Sequence, residues 1–149
     1  MKTDAAYDLI SAVMATADAF LREGQRLFRP HGLSVAQYNV LNVVCEAEGG
    51  LSQRELSENL VVDSSNVTGL VDRMEKAGWV KRTDNPTDRR AYRIVPTPAG
   101  KKLWAEVTPQ YLAAVAKVTK GLTVQRMKEC RETLATLESA ASSSVAAAK

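Results

Sequence analysis

Apolar side chains at Ile10, Val13, Met14, Ala17, Phe20, Leu21, Leu27 and Phe28 recur at the spacing of one helix face and predict a first helix over residues 5–29. Pro30 ends it, since proline has no N–H to donate and its ring clashes with the preceding turn. So wide an apolar stripe needs a partner surface to cover it. Ser34, with Gln37 three residues on, forms a capping box that opens a second helix. Tyr38, Leu41, Val44 and Cys45 make its inner side, and Gly49-Gly50 its end. Ser52 and Glu55 repeat the box before a short third helix with Leu56 and Leu60 inward. After Leu60-Val61-Val62, Asp63 caps a fourth helix that runs to a stop at Gly78.

The period then shortens. Residues 79–83 and 91–95 read as two short strands joined by a charged, turn-rich loop over 84–90. Thr97-Pro98 starts a fifth helix carrying Leu103, Val107, Tyr111, Leu112, Val115 and Val118; Pro109 is expected to kink it and Gly121 to break it. Thr123 caps a sixth, with Met127, Cys130, Leu134 and Leu137 inward, and the Ala/Ser-rich end from Ser139 to Lys149 is expected to fray. The fold class is mainly α with a small β-hairpin: two short helices joined by a tight turn, then a hairpin, describe a winged helix-turn-helix.

On a helical wheel the fourth helix splits cleanly. Val67, Leu70, Val71 and Met74 fall on one side; Ser65, Thr68, Gly69, Asp72, Arg73 and Lys76 fall on the other. A plain surface helix favours Glu, Lys and Ala there, the better helix formers. Small hydrogen-bonding groups in the sequence Ser64-Ser65-Asn66, then Thr68, suit close approach to base edges in a major groove, and the helix N-terminus suits phosphate. The plainer reading is that Asp63-Ser64-Ser65 is only a generous cap.

Composition narrows the function classes. The 149 residues are 45% hydrophobic, 25% charged and only 5% aromatic, which fits a globular core of Leu, Val, Ala and Met. The net charge is a mild +3, yet the window 73–93 holds seven bases (Arg73, Lys76, Lys81, Arg82, Arg89, Arg90, Arg93) against three acids (Glu75, Asp84, Asp88). That window is either a solvated face or an electrostatic footprint for a polyanion. Cys45 and Cys130 lie far apart on helices and read as small buried hydrophobes rather than redox or metal groups. His31 is the single histidine, and no His/Cys/carboxylate cluster surrounds it, so neither a metal, a cofactor nor an enzyme is expected. The opening Met1-Lys2-Thr3-Asp4 leads into an amphipathic stretch, so no signal peptide is expected, and no run approaches the ~18 apolar residues of a membrane span. The expected setting is the cytoplasm of a bacterium or archaeon.

Three stretches carry a family likeness: residues 66–80 (NVTGLVDRMEKAGWV), residues 84–94 (DNPTDRRAYRI) and Thr97-Pro98-Ala99-Gly100. Their ordered match to VTxxVDRLExxGLVxR, DxR and TxxG patterns resembles the MarR family of winged helix-turn-helix transcription regulators, clearly over residues 34–104 and only architecturally at the ends. The resemblance implies a DNA-binding homodimer, in the repressing mode, on double-stranded DNA at a pseudo-palindromic operator. It also implies a single regulator unit over 1–149, with residues 34–96 as its DNA-binding part and 5–29 and 97–143 as dimerisation helices. The DNA-binding residues it implies are Ser64, Ser65, Asn66 and Thr68 near bases, Arg73 and Lys76 near the backbone, and Asp88, Arg89 and Arg90 in the wing, with Asp88 bracing Arg90. Many members bind phenolic or carboxylate effectors between the dimer helices and the winged domain. Tyr38 and His31 lie near that junction by chain order, either as ligand contacts or as ordinary packing.

Two positions depart from the pattern. Pro96 stands where the family usually has Leu, so the second wing strand is expected to stop early. Asp72 faces the groove side and is expected to pair with Arg73, Lys76 or a wing arginine. The reactive N-terminal cysteine of the peroxide-sensing branch has no counterpart at the start of this chain. The competing function is a winged helix that binds protein without specific DNA binding, which predicts apolar residues on the outer face of the fourth helix.

Overall fold

The first helix, α1 (Ala5–Phe28), begins where the Asp4 carboxylate accepts the Ala6 N–H at 3.1 Å. It gives way to a 3-10 turn, Arg29–His31, which contains Pro30. In this computed structural model the described residues are 4–60, 67–85 and 92–146. They fall into two compact units, Met1–Leu112 and Ala113–Lys149.

In the first unit α1 is followed by α2 (Val35–Glu46), β1 (Leu51–Ser52), α3 (Gln53–Asn59), α4 (Val67–Lys76), β2 (Val80–Asp84), β3 (Tyr92–Pro96) and the start of α5 (Pro98–Val118). Both capping boxes are closed. Gln37 N–H donates to Ser34 Oγ at 3.1 Å while Ser34 N–H donates to Gln37 Oε1 at 2.8 Å, and the Ser52–Glu55 pair does the same at 3.2 and 2.7 Å.

The strands form one antiparallel sheet in the order β1-β3-β2, with Leu51 opposite Ile94 and Arg82 opposite Ile94 on the other side. Over it lies a core of Val40, Leu41 and Val44 from α2, Leu56 from α3, Val67, Leu70, Val71 and Met74 from α4, and Val80 and Ile94 from the sheet. A second cluster joins Phe28, Leu33, Tyr38 and Val107, tying the end of α1 to α2 and α5. Trp79, Leu103 and Trp104 border both clusters, and the Trp104 indole N–H donates to Asn42 Oδ1 at 2.9 Å.

Several expectations need correction. A third strand, β1, pairs with β3; two residues are too few for a sequence period to reveal. The second wing strand does not stop before Pro96. It includes Pro96 opposite Val80. β3 is the central strand, but Pro96 lies at its end and beyond β1, whose partners on β3 are only Ile94 and Arg93. A missing N–H is tolerated there. The second helix ends at Glu46 with Ala47 as its cap, before the two glycines, whose φ values of 74° and 76° shape the turn into β1. The start of the fourth helix at Asp63 lies outside the described residues. Of the apolar positions on the fifth helix, Val107 alone is fully buried, while Tyr111, Leu112, Val115 and Val118 are exposed.

In the second unit α5 ends at Val118, and α6 (Val124–Ala146) follows, capped by Thr123 Oγ1, which accepts the Arg126 N–H at 3.2 Å. The Ala/Ser-rich end does not fray at Ser139: α6 continues to Ala146, since alanine has the highest intrinsic helix propensity. Cys130 is exposed rather than buried, and Leu134 is exposed as well. Cys45 is half-buried, and burial pushes its thiol up to about 11.

Two measurements follow from this packing. A Cβ on Gly100 would run into the backbone carbonyl of Trp79, which also accepts from Thr97. Gly100→Ala should therefore lower stability by about 1–3 kcal/mol in urea unfolding, and an unchanged midpoint would contradict the close approach. At pH 8 a thiol near 11 is ionised to about one part in a thousand, so in a Cys130→Ser protein Cys45 should alkylate slowly when native and quickly once unfolded. Equal rates in the two states would show the thiol is not held as described.

Candidate nucleic-acid interface

Two surfaces carry the expected contacts: the outer side of α4 and the wing. Ser64, Ser65 and Asn66, and the wing residues Asp88, Arg89 and Arg90, lie outside the described residues. Thr68, Arg73 and Lys76 are described, and all three are exposed. On the opposite side Val67, Leu70, Val71 and Met74 are 4%, 7%, 0% and 0% exposed, so the helical wheel reads correctly over the whole of α4.

Asp72 pairs with Arg82 on β2, not with Arg73 or Lys76. The Arg82 guanidinium donates through Nη2 to Asp72 Oδ1 at 2.6 Å and through Nη1 to Glu75 Oε2. Glu75 Oε1 also accepts the backbone N–H of Arg82 at 3.0 Å. Strand alternation puts Val80, Arg82 and Asp84 on one face, and Val80 is buried in the core, so Arg82 stands directly over the helix. Asp72 and Glu75 are three apart and share one side of α4. The two carboxylates hold the guanidinium above its usual pKa and charged throughout, and in return the groove-side acid is neutralised.

A second arginine is also committed internally. Arg93 donates through Nε to the Gly49 carbonyl at 2.8 Å and through Nη2 to that of Gly50. Of the described bases in the 73–93 window, Arg73, Lys76 and Lys81 are left exposed. Sequence reasoning had a wing arginine among the expected partners of Asp72, without singling out Arg82 or adding Glu75, and it missed the role of Arg93. The signal for Arg82 was present, in Asp72 and Glu75 at i, i+3 with an arginine two residues beyond the buried Val80. The signal for Arg93 was not, because its partners are backbone atoms. Also missed was Gln53, the first residue of α3, whose side-chain amide donates to Thr68 Oγ1 on α4.

At the suggested effector junction Tyr38 is packed. Its ring stacks on Phe28 with centroids 4.3 Å apart, burial raises its pKa, and its hydroxyl donates to Thr108 Oγ1 at 3.3 Å. His31 Nδ1 lies 3.3 Å from Glu106 Oε1, and its Nε2 lies 3.4 Å from the Gln110 amide nitrogen. A separate open cleft of about 350 Å³ lies where the end of α2 meets β3, between Cys45, Pro96 and Lys101. Among the described residues no three His, Cys, Asp or Glu side chains group as metal ligands, and no helix is long and apolar enough to cross a membrane.

Comparison with known proteins agrees with this geometry. Residues 31–91 match the MarR family profile. The chain is 40% identical over 95 residues to the HTH-type transcriptional regulator TtmR of Methylorubrum extorquens, covering 64% of this chain and 48% of TtmR. It spans about half the length of the curated relatives it matches. Among solved structures it superposes on CouR from Rhodococcus jostii RHA1 bound to p-coumaroyl-CoA with a TM-score of 0.81 and 29% identity, covering 91% of this chain and 95% of CouR. It superposes equally well, at 0.81 and 25% identity, on Sco3205, a MarR family transcriptional regulator from Streptomyces coelicolor in complex with DNA, covering 93% and 89%. The motif over the two short helices and the wing, and a backbone that follows such regulators nearly end to end, agree: this chain is similar to the MarR family of transcriptional regulators.

Proposed function

We propose that the chain is a sequence-specific, DNA-binding transcriptional regulator that acts as a homodimer on a pseudo-palindromic operator. One observation carries the reading: α4 buries its apolar side completely and presents Thr68, Arg73 and Lys76, with no large apolar residue, on the other. A protein-docking helix would need apolar anchors on that outer side. Polar and cationic side chains instead suit base edges and phosphates. In this reading Ser64, Ser65, Asn66 and Thr68 meet bases, Arg73 and Lys76 meet phosphates, and Asp88, Arg89 and Arg90 are the wing's contacts to DNA. An arginine there is drawn to a narrow minor groove by its enhanced negative potential.

The homodimer rests on exposed apolar surface. Tyr7, Leu9, Ile10, Met14, Phe20 and Leu21 of α1 are each between 45% and 68% exposed. In the second unit Val115, Val118, Val124 and Leu134 are exposed too. Apolar area on that scale marks an interaction surface. That CouR is seen bound to p-coumaroyl-CoA supports a small phenolic or anionic effector for this chain. In this reading the effector releases the operator, and the mode is repression.

Light scattering should give twice the 16.2 kDa chain mass at low micromolar concentration; a folded monomer would overturn the dimer. Footprinting should show two half-sites with centres about 10–10.5 base pairs apart. Arg90→Ala should weaken binding to specific and scrambled duplexes alike and reduce the slope of log affinity against log salt by about 0.9 per lost phosphate contact. Unchanged affinity and slope would leave the charged hairpin a solvated face. No binding to any duplex would favour the protein-interaction module.

A further inference from the structure

Beyond the residues assigned to DNA by family likeness, the structure links the exposed side of α4 to a residue of the preceding helix. We propose that Gln53 is a specificity-determining positioning residue: by donating its side-chain amide to Thr68 Oγ1 it fixes how Thr68 meets a base, and so favours thymine over cytosine at that position. The proposal rests on the DNA-binding reading above.

Gln53 is the first residue of α3, directly after its Ser52 cap, and its own carbonyl accepts from Ser57 Oγ at 3.0 Å. Its backbone is therefore fixed at both ends of the first turn. Thr68 is fixed from the other side, because its neighbours Val67 and Val71 are 4% and 0% exposed. Both Gln53 and Thr68 are themselves exposed, so the contact lies on the surface that DNA would meet. Elsewhere in the chain Thr119, Thr133 and Thr136 donate to the carbonyl four residues back, at 2.9, 2.9 and 3.0 Å. Thr68, like Thr108, instead accepts from a side chain on another helix, but it does so on an exposed face.

Threonine is β-branched, so fixing Oγ1 also fixes its methyl. With one lone pair committed to Gln53, Thr68 keeps its methyl, its hydroxyl proton and one remaining lone pair. The methyl and the proton suit thymine, which offers a methyl group and O4, and the proton also suits the N7 of a purine. Cytosine has no methyl group and meets only the remaining lone pair, so a fixed methyl favours thymine over it.

The test is selection from a pool of duplexes randomised at the centre, comparing wild type with Gln53→Ala, Thr68→Val and the double variant. Wild type should enrich a motif in which one position per half-site favours thymine over cytosine. Gln53→Ala should relax that preference by roughly three- to tenfold at that position alone, other positions keeping theirs. The double variant should match Thr68→Val, because the glutamine acts only through the threonine. Melting temperatures should stay put, both residues being exposed. A motif unchanged in Gln53→Ala, or one weakened evenly at all positions, would overturn the proposal while leaving specific binding intact. No motif from wild type would instead remove the DNA-binding reading, and this inference with it.

Discussion

The seating of α4 governs everything on the outer surface of the winged segment. Val67, Leu70, Val71 and Met74 are all but closed to solvent, and each buried side chain of this kind contributes about 1.5–3 kcal/mol relative to exposure. Together they are comparable to the net stability of an ordinary domain, about 5–15 kcal/mol. A rotation of α4 about its axis would expose them, so the orientation of Thr68, Arg73 and Lys76 is set by the core beneath. The other wall of that core is shared by α2, α3 and the sheet through Val40, Leu41, Val44, Leu56, Val80 and Ile94. The recognition face is thus held by residues that never meet solvent.

The Asp72–Arg82–Glu75 contact adds little energy beside this. Its guanidinium is 25% exposed, and a partly solvated ion pair is worth about 0–1 kcal/mol. Its value lies in direction. Three donors of one arginine, two on the guanidinium and one on the backbone, go to two carboxylates a turn apart, so β2 cannot slide along α4 without breaking all three. Burial fixes which side of α4 faces out, and the clamp fixes where the hairpin stands beside it.

Much of this was legible in the sequence because it is periodic. The 3.6-residue spacing in α4, the two Ser-x-x-Gln/Glu boxes and the shift to strand period at Trp79 are local patterns, and each appears where local physics puts it. What escaped reading depends on contacts distant in sequence. β1 exists only because β3 is beside it, and Arg93 binds carbonyls 43 and 44 residues away. Pro96 was misjudged for a related reason: a proline ends a strand only where its N–H would have been needed, and the sheet order decides that. Cys130 and the apolar positions of α5 and α6 were assigned to an inner side by spacing alone, yet spacing shows only that a face exists and not what covers it.

The basic window from 73 to 93 shows why charge counts mislead when taken alone. Arg82 is matched by two carboxylates, one of them just outside the window, and Arg93 is spent on two carbonyls. Only cations that neutralise phosphates release counterions, so these two add to the count without adding to the electrostatic drive for DNA. They act on geometry instead. Arg93 pins the Gly49-Gly50 turn to β3, and β1 pairs with β3 through Leu51 and Ser52, immediately before Gln53. Arg82 meanwhile pins α4 to β2, the other neighbour of β3. The start of α3, the exposed side of α4 and the base of the wing are therefore all referenced to one three-stranded sheet. A contact such as Gln53 to Thr68 can hold only because both helices take their position from the same strands.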